Sequence, residues 1–453
     1  MDNESEQTLL ADAASRAQRY LASLPDRAVA PSTKAVEALS GLGGALPEAP
    51  ADPAQVLARL DEIVSPATMA MAGPRFFGFV IGGSLPISVA ANWLATAWDQ
   101  NTCLDAVTPG VSRVEQLALD WLLDVLRLPA GCAGAFVTGA TVANMTALAA
   151  ARHRVLADVG WNVEADGLFG APPITVLVGE EVHPTVLKGL GVLGLGRSRI
   201  TRVPVDAQGR MRADALPAIS GPTLLVLQAG NLNTGAFDPF DALVPRAKAA
   251  GAWVHVDGAF GLWARATRDR QQLAAGCELA DSWATDGHKW LNVPYDSGIA
   301  FVRDAEALRA AMAVTADYLP TQSLRRNPGD YTPELSRRAR GVDVWAVVAT
   351  LGRSGIADLI EGCCRHARRF AAGLSAAGFQ VLNDVVLNQV LVSFGTPERT
   401  QAVISALQQD GTCWCGNTVW QGRAAMRISV CSWATGDEDV EKSLEAMIRI
   451  ARS

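Results

Sequence analysis

A single lysine, Lys289, lies in a stretch where surface charge is not expected. The stretch "SWATDGHKWLNVPYDSG", residues 282–298, begins as a half-buried strand and runs into a turn, with the lysine between His288 and Trp290. The chain has only five lysines against 34 arginines, so arginine supplies its ordinary surface charge. A lysine held away from water is a free amine that condenses with an aldehyde to form a Schiff base. The setting of Lys289 therefore predicts carbonyl chemistry.

Two further strand ends supply groups that complement an amine. In "WVHVDGAFG", alternation places Asp257 at the end of a strand, where a partly buried carboxylate requires a cationic partner. Upstream, "GAFVTGATVANMTALAAARH" predicts a strand followed by a helix, with Gly139, Ala140 and Thr141 at the helix start. Small residues let the backbone approach a ligand, and a helix N-terminus presents hydrogen-bond donors to an anion. This segment therefore predicts a phosphate site.

The combination of these three features is more specific than any one of them. Alone, Lys289 is explained by a lysine whose stem packs at a strand edge, Asp257 by a turn aspartate before glycine, and "TGAT" by an ordinary helix start. Together they provide a phosphate site, a carboxylate for a protonated ring nitrogen and a lysine that forms a Schiff base. That set describes a binding site for pyridoxal 5′-phosphate.

The order of these motifs resembles the fold-type I pyridoxal-phosphate enzymes, and within them the group II amino-acid decarboxylases. "VHVDGAFG" is similar to that family's H-V-D-A-A-Y-G, and "DGHKWLNVPYDSG" to its N-P-H-K-W-L-x-V-x-x-D-C-G. "TGATVAN" parallels S-G-G-[ST]-E-A-N, and "QAGNLNTGAFD" parallels A-G-T-T-x-x-G-A-x-D. The resemblance extends from about Arg75 to Trp433 and so covers most of the chain.

The resemblance implies a role for each matching residue. Lys289 carries the Schiff base, Asp257 pairs with the pyridine nitrogen, and His183 of "EEVHPTVLKG" stacks on the ring. Tyr318 matches the tyrosine of the family's mobile catalytic loop, which protonates the substrate carbon after CO2 leaves. In the family that loop closes over the neighbouring subunit's site, so a homodimer is implied. The other implied cofactor contacts are Gly139, Ala140, Thr141, His288 and Asn231.

Several positions depart from the family pattern. Asp286 and Gly287 stand where the family has Asn-Pro, and an aspartate near a phosphate is repelled unless it points away or is paired. Gly82 falls in the region where aromatic-acid decarboxylases carry substrate-contacting side chains, so the resemblance does not specify the substrate. The candidate substrate-contacting residues are Phe79, Gly82, Trp98 and Arg427.

The predicted function is an L-amino-acid decarboxylase that releases CO2 and an amine. One alternative is a carbon–carbon lyase resembling the sphingosine-phosphate lyases, which carry Asp-x-His-Lys as this chain does. Another is aldehyde formation, which relatives with phenylalanine at the loop position carry out and against which Tyr318 argues. A third is a cofactor-binding protein without catalysis, which the retained lysine, aspartate and tyrosine disfavour.

The elements that must position these residues follow from apolar runs that alternate with helical segments between about residues 135 and 305. Runs buried on both faces predict a mainly parallel sheet covered by helices, with ligands at the carboxyl ends of its strands. The predicted class is α/β: an N-terminal helical arm at 1–75, a fold-type I large domain at 76–345 that binds the cofactor, and a small α+β domain at 346–453. Within the large domain, Ser112 and Glu115 have the spacing of a capping box at a helix start.

Composition excludes other classes. The chain has 453 residues, 49% of them hydrophobic and 19% charged, and its net charge of −7 without a basic block argues against nucleic-acid binding. The start "MDNESEQ" lacks the positive charge of a signal peptide, and the uncharged stretch from Phe76 to Trp98 is interrupted by glycine and proline, unlike a membrane span. Eight scattered cysteines predict reduced thiols in the cytoplasm, and strand alternation explains Cys413 and Cys415 better than a metal site does.

Overall fold

The computed structural model describes residues 3–314 and 325–453. The N-terminal part is helical and contains α1 (Asn3–Ser23), α2 (Thr33–Glu37), α3 (Pro53–Val64), α4 (Pro86–Trp98) and α5 (Pro109–Val125). The middle part alternates strands with helices. Its strands are β1 (Ala133–Val137), β2 (Thr175–Gly179), β3 (Thr201–Val203), β4 (Thr223–Gln228), β5 (Trp253–Asp257), β6 (Ser282–Asp286) and β7 (Gly298–Val302). Its helices are α6 (Ala140–Ala157), α7 (Val163–Asp166), α8 (Pro184–Val192), α9 (Phe240–Ala249) and α10 (Ala305–Met312).

The seven strands form one sheet in the order β1-β7-β6-β5-β4-β2-β3. Neighbours from β6 to β3 pair in parallel, whereas β7 runs antiparallel to both β1 and β6. The predicted α/β class with a mostly parallel sheet is confirmed. Because parallel strands end at one edge, the residues that follow β4, β5 and β6 come together there.

The strand β5 shows how alternating side chains are directed to the two faces of the sheet. Val254 and Val256 enter the larger apolar core, and Trp253 and His255 point to the opposite face, as strand alternation predicts. On that face His255 Nε2 hydrogen-bonds to Asn144 Oδ1 of α6 at 2.8 Å. Burial lowers the pKa of His255 to about 3, so the ring is a neutral link between the sheet and α6.

The C-terminal part is a smaller α+β unit built on an antiparallel sheet in the order β10-β11-β9-β8. Its elements are α11 (Arg340–Ala376), β8 (Gln380–Val381), β9 (Gln389–Ser393), α12 (Pro397–Asp410), β10 (Gly416–Trp420), β11 (Arg423–Ser429) and α13 (Asp437–Arg452). The helix α11 contacts α4 and α5 as well as α13 and β9, and it is interrupted at Gly352. The predicted boundary after residue 345 falls inside α11, and the division of the chain into domains stays a prediction.

The capping box predicted at Ser112 and Glu115 is wrong. The helix α5 begins one turn earlier, at Pro109, and both side chains lie buried inside it. The Glu115 carboxylate instead lies 2.9 Å from the guanidinium of Arg337, and neither side chain is more than 1% exposed. Proline at the first position fixes the helix start, and a buried carboxylate takes a cationic partner in preference to a backbone amide.

Two further observations bear on the class of protein. Among residues 3–314 and 325–453, no helix has the length and hydropathy needed to cross a membrane. The segment from Phe76 to Trp98 is a loop followed by α4. All eight cysteines lie in this described part, and each is buried with a free thiol.

Candidate active site

A cavity of about 660 Å³ opens at the carboxyl ends of β4, β5 and β6. This is the edge at which ligands were expected from the parallel sheet. Residues from distant parts of the sequence converge on it, because β1, β5 and β6 each deliver a loop to that edge. The predicted residues that line it are Phe79, Gly139, Ala140, Thr141, His183, Asp257, His288, Lys289 and Arg427.

Lys289 lies in the turn that follows β6, and its amine faces a carboxylate of the same turn. Its Nζ is 2.9 Å from Oδ2 of Asp286, and its side chain is 21% exposed. The sequence predicted that an aspartate at 286 must point away or be paired, and the structure shows it paired. Asn292 secures the turn, because its side-chain amide donates to the carbonyls of Trp290 and Cys431.

Asp257 is the last residue of β5 and is buried at the base of the cavity. Burial raises the pKa of its carboxyl, while His183 and Lys289 oppose that shift. Its Oδ1 accepts a hydrogen bond from the backbone N–H of Ala259 at 3.3 Å. A carboxylate in this position is stabilised by a cationic N–H group that enters the cavity.

His183 combines a structural contact with a position in the cavity wall. It is the N-cap of α8, and its Nδ1 accepts a hydrogen bond from the N–H of Thr185 at 3.3 Å. Burial lowers the pKa of His183, and the imidazole is therefore neutral near neutral pH. The position of His183 thus allows it both to cap α8 and to face a ligand in the cavity.

The start of α6 forms the end of the cavity that is suited to an anion. Gly139 is the N-cap, and the N–H of Ala140 donates to Oδ1 of Asp286 at 2.6 Å. His288 lies against Gly139, accepts a hydrogen bond from the N–H of Ser297 on its Nδ1 and stacks on Tyr295 with ring centroids 4.3 Å apart. Burial lowers the pKa of His288. Backbone donors and a neutral imidazole thus surround this position.

Three of the predicted residues that the structure describes are not part of the cavity wall. Asn231 is buried, but its Oδ1 accepts the N–H groups of Asn233 and Thr234, so it shapes its own loop. Trp98 ends α4 and is half exposed, outside the lining. Gly82 supports the site from behind, against the carbonyl of Lys289. Tyr318 lies outside the described residues.

Sequence reasoning missed Tyr295, which lines the cavity beside His288. The signal available was an aromatic residue in the turn after "HKW", and nothing in that spacing shows which way the ring points. It also noted Asp286 only as a departure, because a contact between residues 286 and 140 leaves no local pattern.

The family model described as the pyridoxal-dependent decarboxylase conserved domain matches residues 37–395. The chain belongs to this pyridoxal-dependent decarboxylase family. Among its curated relatives, the aromatic-L-amino-acid decarboxylase of Bacillus atrophaeus is 27% identical over 344 residues, which are 73% of this chain and 69% of that protein. The L-2,4-diaminobutyrate decarboxylase of Rhizobium meliloti (strain 1021) is 29% identical over 385 residues, 80% of this chain and 73% of that protein.

Solved structures agree with this family assignment at the level of the fold. Oryza sativa TDC with PLP and tryptamine has a TM-score of 0.92 at 22% identity, covering 100% of this chain and 98% of that one. Mouse CSAD also has a TM-score of 0.92, at 21% identity, covering 100% and 99%. The predicted fold-type I architecture is confirmed.

The predicted cofactor and reaction are confirmed as well: this decarboxylase depends on pyridoxal phosphate. The residues present fit that group, since one cavity offers an amine, a buried carboxylate and a helix start with backbone donors.

Proposed function

We propose that this decarboxylase removes the α-carboxyl group of an L-amino acid in the cavity at the ends of β4, β5 and β6, with Lys289 as the residue that binds the cofactor. The observation that carries the proposal is the convergence of Lys289, Asp257, His183 and the start of α6 on one cavity. When bound, pyridoxal phosphate supplies an aldehyde that condenses with amines and a ring that accepts the electron pair left as CO2 departs.

Different residues of the cavity would hold the ring nitrogen, the ring face and the phosphate of the cofactor. Asp257 would keep a proton on the ring nitrogen, because its buried carboxylate is stabilised by a cationic N–H. His183, whose pKa is lowered by burial, would cover one face of the ring as a neutral imidazole. The backbone donors at the start of α6, together with His288, would hold the phosphate.

Arg427 supplies the contact to the substrate. It lies on β11 with 7% of its surface exposed, and its Nε is buried without a hydrogen-bond partner among the described residues. Its Nη1 donates a long hydrogen bond to the carbonyl of Leu232, at 3.5 Å. Burial lowers the pKa of Arg427 to about 10, which leaves it charged at neutral pH. A buried guanidinium of this kind is completed by a carboxylate of the incoming amino acid.

Tyr318 is proposed, from the sequence resemblance alone, as the group that returns a proton to the substrate carbon. If a carbon–carbon bond were cleaved in place of the carboxyl group, or if the substrate carbon were oxidised and not protonated, the products would change to two carbon fragments or to an aldehyde. Relatives include a phenylacetaldehyde synthase of Arabidopsis thaliana, 23% identical over 426 residues, so product analysis is part of the test. CO2 with an amine supports the proposal, whereas two carbon fragments or an aldehyde contradict it.

A homodimer is part of the proposal. Phe79 and Tyr295 line the cavity, and each is more than half exposed. A second subunit that covered Phe79 and Tyr295 would remove these large aromatic side chains from water. Light scattering of the purified protein measures whether the dimer forms. A cytoplasmic location stays a prediction from the cysteine content.

The decisive experiment combines the visible absorbance of the purified protein with borohydride reduction. We expect an absorbance band of the Schiff base that borohydride abolishes, with the reduced cofactor attached to Lys289. A panel of L-amino acids then identifies the substrate by CO2 release. K289A should lack both the band and turnover, while K188A, at an exposed lysine of α8, should keep both. Full turnover by K289A would falsify the proposal.

A further inference from the structure

Asp286 occupies the position at which an anion is expected. It ends β6, it is 1% exposed, and it lines the cavity. Its Oδ1 accepts the N–H of Ala140, the first residue of α6, at 2.6 Å, and its Oδ2 lies 2.9 Å from Lys289 Nζ. His288 Nε2 is 3.6 Å from the same Oδ1. The carboxylate of Asp286 therefore occupies the backbone donor of α6, pairs with the amine of Lys289 and lies near the imidazole of His288, where the phosphate is expected to bind.

A phosphate group bound at the start of α6 requires the same donor. The N-cap of α6 is Gly139, which brings no side-chain acceptor of its own, so the carboxylate of Asp286 fills that function. Two anions at one helix start repel each other, and burial strengthens the repulsion because water does not screen it.

We infer that Asp286 is an internal anion that competes with the phosphate of the cofactor and thereby sets the affinity of this enzyme for it. The inference rests on the proposed function, since it assumes that the phosphate binds at the start of α6. Asp286 is then a specificity-determining residue. It lowers the affinity for the phosphorylated aldehyde and leaves the affinity for the unphosphorylated aldehyde unchanged.

The test is an equilibrium titration of cofactor-free protein with pyridoxal phosphate and, separately, with pyridoxal. Asp286→Asn keeps the size of the side chain and an oxygen that accepts the Ala140 N–H, but it removes the charge. Asp296→Asn is the matched control, because Asp296 lies in the loop that follows the same turn and its Oδ1 pairs with Arg340 at 2.7 Å. The Schiff-base absorbance reports binding, and thermal unfolding confirms that each variant folds.

We expect Asp286→Asn to raise the affinity for pyridoxal phosphate at least ~10-fold, with the affinity for pyridoxal and the behaviour of Asp296→Asn unchanged. An equal gain in affinity for both aldehydes would show that Asp286 acts on the amine of Lys289 and not on the phosphate, and it would overturn the inference. An unchanged or weaker affinity for pyridoxal phosphate would overturn it too. If neither the wild type nor Asp286→Asn forms a Schiff base with either aldehyde, the proposed function fails and the inference falls with it.

Discussion

Gly82 packs directly against the backbone of Lys289. A Cβ atom at position 82 would lie 1.7 Å from the carbonyl oxygen of Lys289 and 2.9 Å from Nδ2 of Asn292. The loop before α4 therefore closes on the back of the turn that carries the amine, and only a residue without a side chain allows that approach. Neighbouring Leu85 continues the contact, because its N–H donates to the carbonyl of Asn292 at 2.8 Å.

Gly82→Ala is expected to displace this turn. Backbone atoms must move apart to admit the methyl group, so we expect a loss of roughly 1–3 kcal/mol in the free energy of unfolding and a lower kcat. Chemical denaturation and steady-state kinetics measure the two effects. Gly362→Ala is the control: it lies inside α11 with open space at its Cβ position, and it should stabilise the protein by roughly 0.5–1 kcal/mol. Equal behaviour of the two variants would contradict this account.

Asp257→Asn is expected to separate cofactor binding from turnover. The amide has the size of the carboxylate but no charge to hold a proton on the ring nitrogen, so kcat should fall roughly 10²- to 10³-fold. The visible absorbance should show that the cofactor is still bound. Asp384→Asn, the same change at an exposed position, should leave kcat unaltered. Normal turnover by Asp257→Asn would remove this residue from the mechanism.

Arg427→Met should weaken substrate binding without lowering the stability of the fold. Losing a charge-assisted contact with a substrate carboxylate is expected to raise KM by roughly 10- to 100-fold. Since no carboxylate of the described residues pairs with the buried guanidinium, an apolar side chain of similar length should leave the unfolding free energy unchanged or higher. A structural role would give the opposite pattern: normal KM with lower stability. Kinetics and denaturation on the same preparation decide between the two.

Glu115→Ala is expected to destabilise the protein strongly. The change leaves the guanidinium of Arg337, whose side chain is 0% exposed, without its carboxylate partner at 2.9 Å. Removing one member of a buried ion pair costs about 3–5 kcal/mol. The control is Glu441→Ala, which breaks a pair with Arg369 in which both side chains are nearly half exposed, at a cost of about 0–1 kcal/mol. Similar losses in both variants would show that burial does not determine the effect.

The sequence predicted the strands β5 and β6 well because both are buried on both faces. Both strands begin at the first residue of the stretch that predicted them, "WVHVDGAFG" for β5 and "SWATDGHK" for β6. The direction of β7 was not predictable. An apolar run that is buried on both faces has the same pattern whether it pairs in parallel or antiparallel, so only the assembled sheet reveals its orientation.

The site was predictable where strand ends supply the residues and less so where loops do. Asp257 and Lys289 follow strands, and parallel strands bring their ends together. Asn231 lies in a loop whose own backbone N–H groups compete for its side chain, and those local hydrogen bonds take precedence. The pairing of Asp286 with Ala140 joins two distant parts of the chain and follows from their packing alone.

The edge strand β1 has a consequence for the order of assembly. Among the described strands it pairs only with β7, and the register joins Ala133 to Val302. Gly298 at the start of β7 lies against the backbone of Gly139, so the helix start is buttressed by residues made much later during synthesis. Before β7 has emerged from the ribosome, a nascent chain therefore contains the residues at the start of α6 but not their folded arrangement. Cofactor binding must then follow the pairing of β1 with β7.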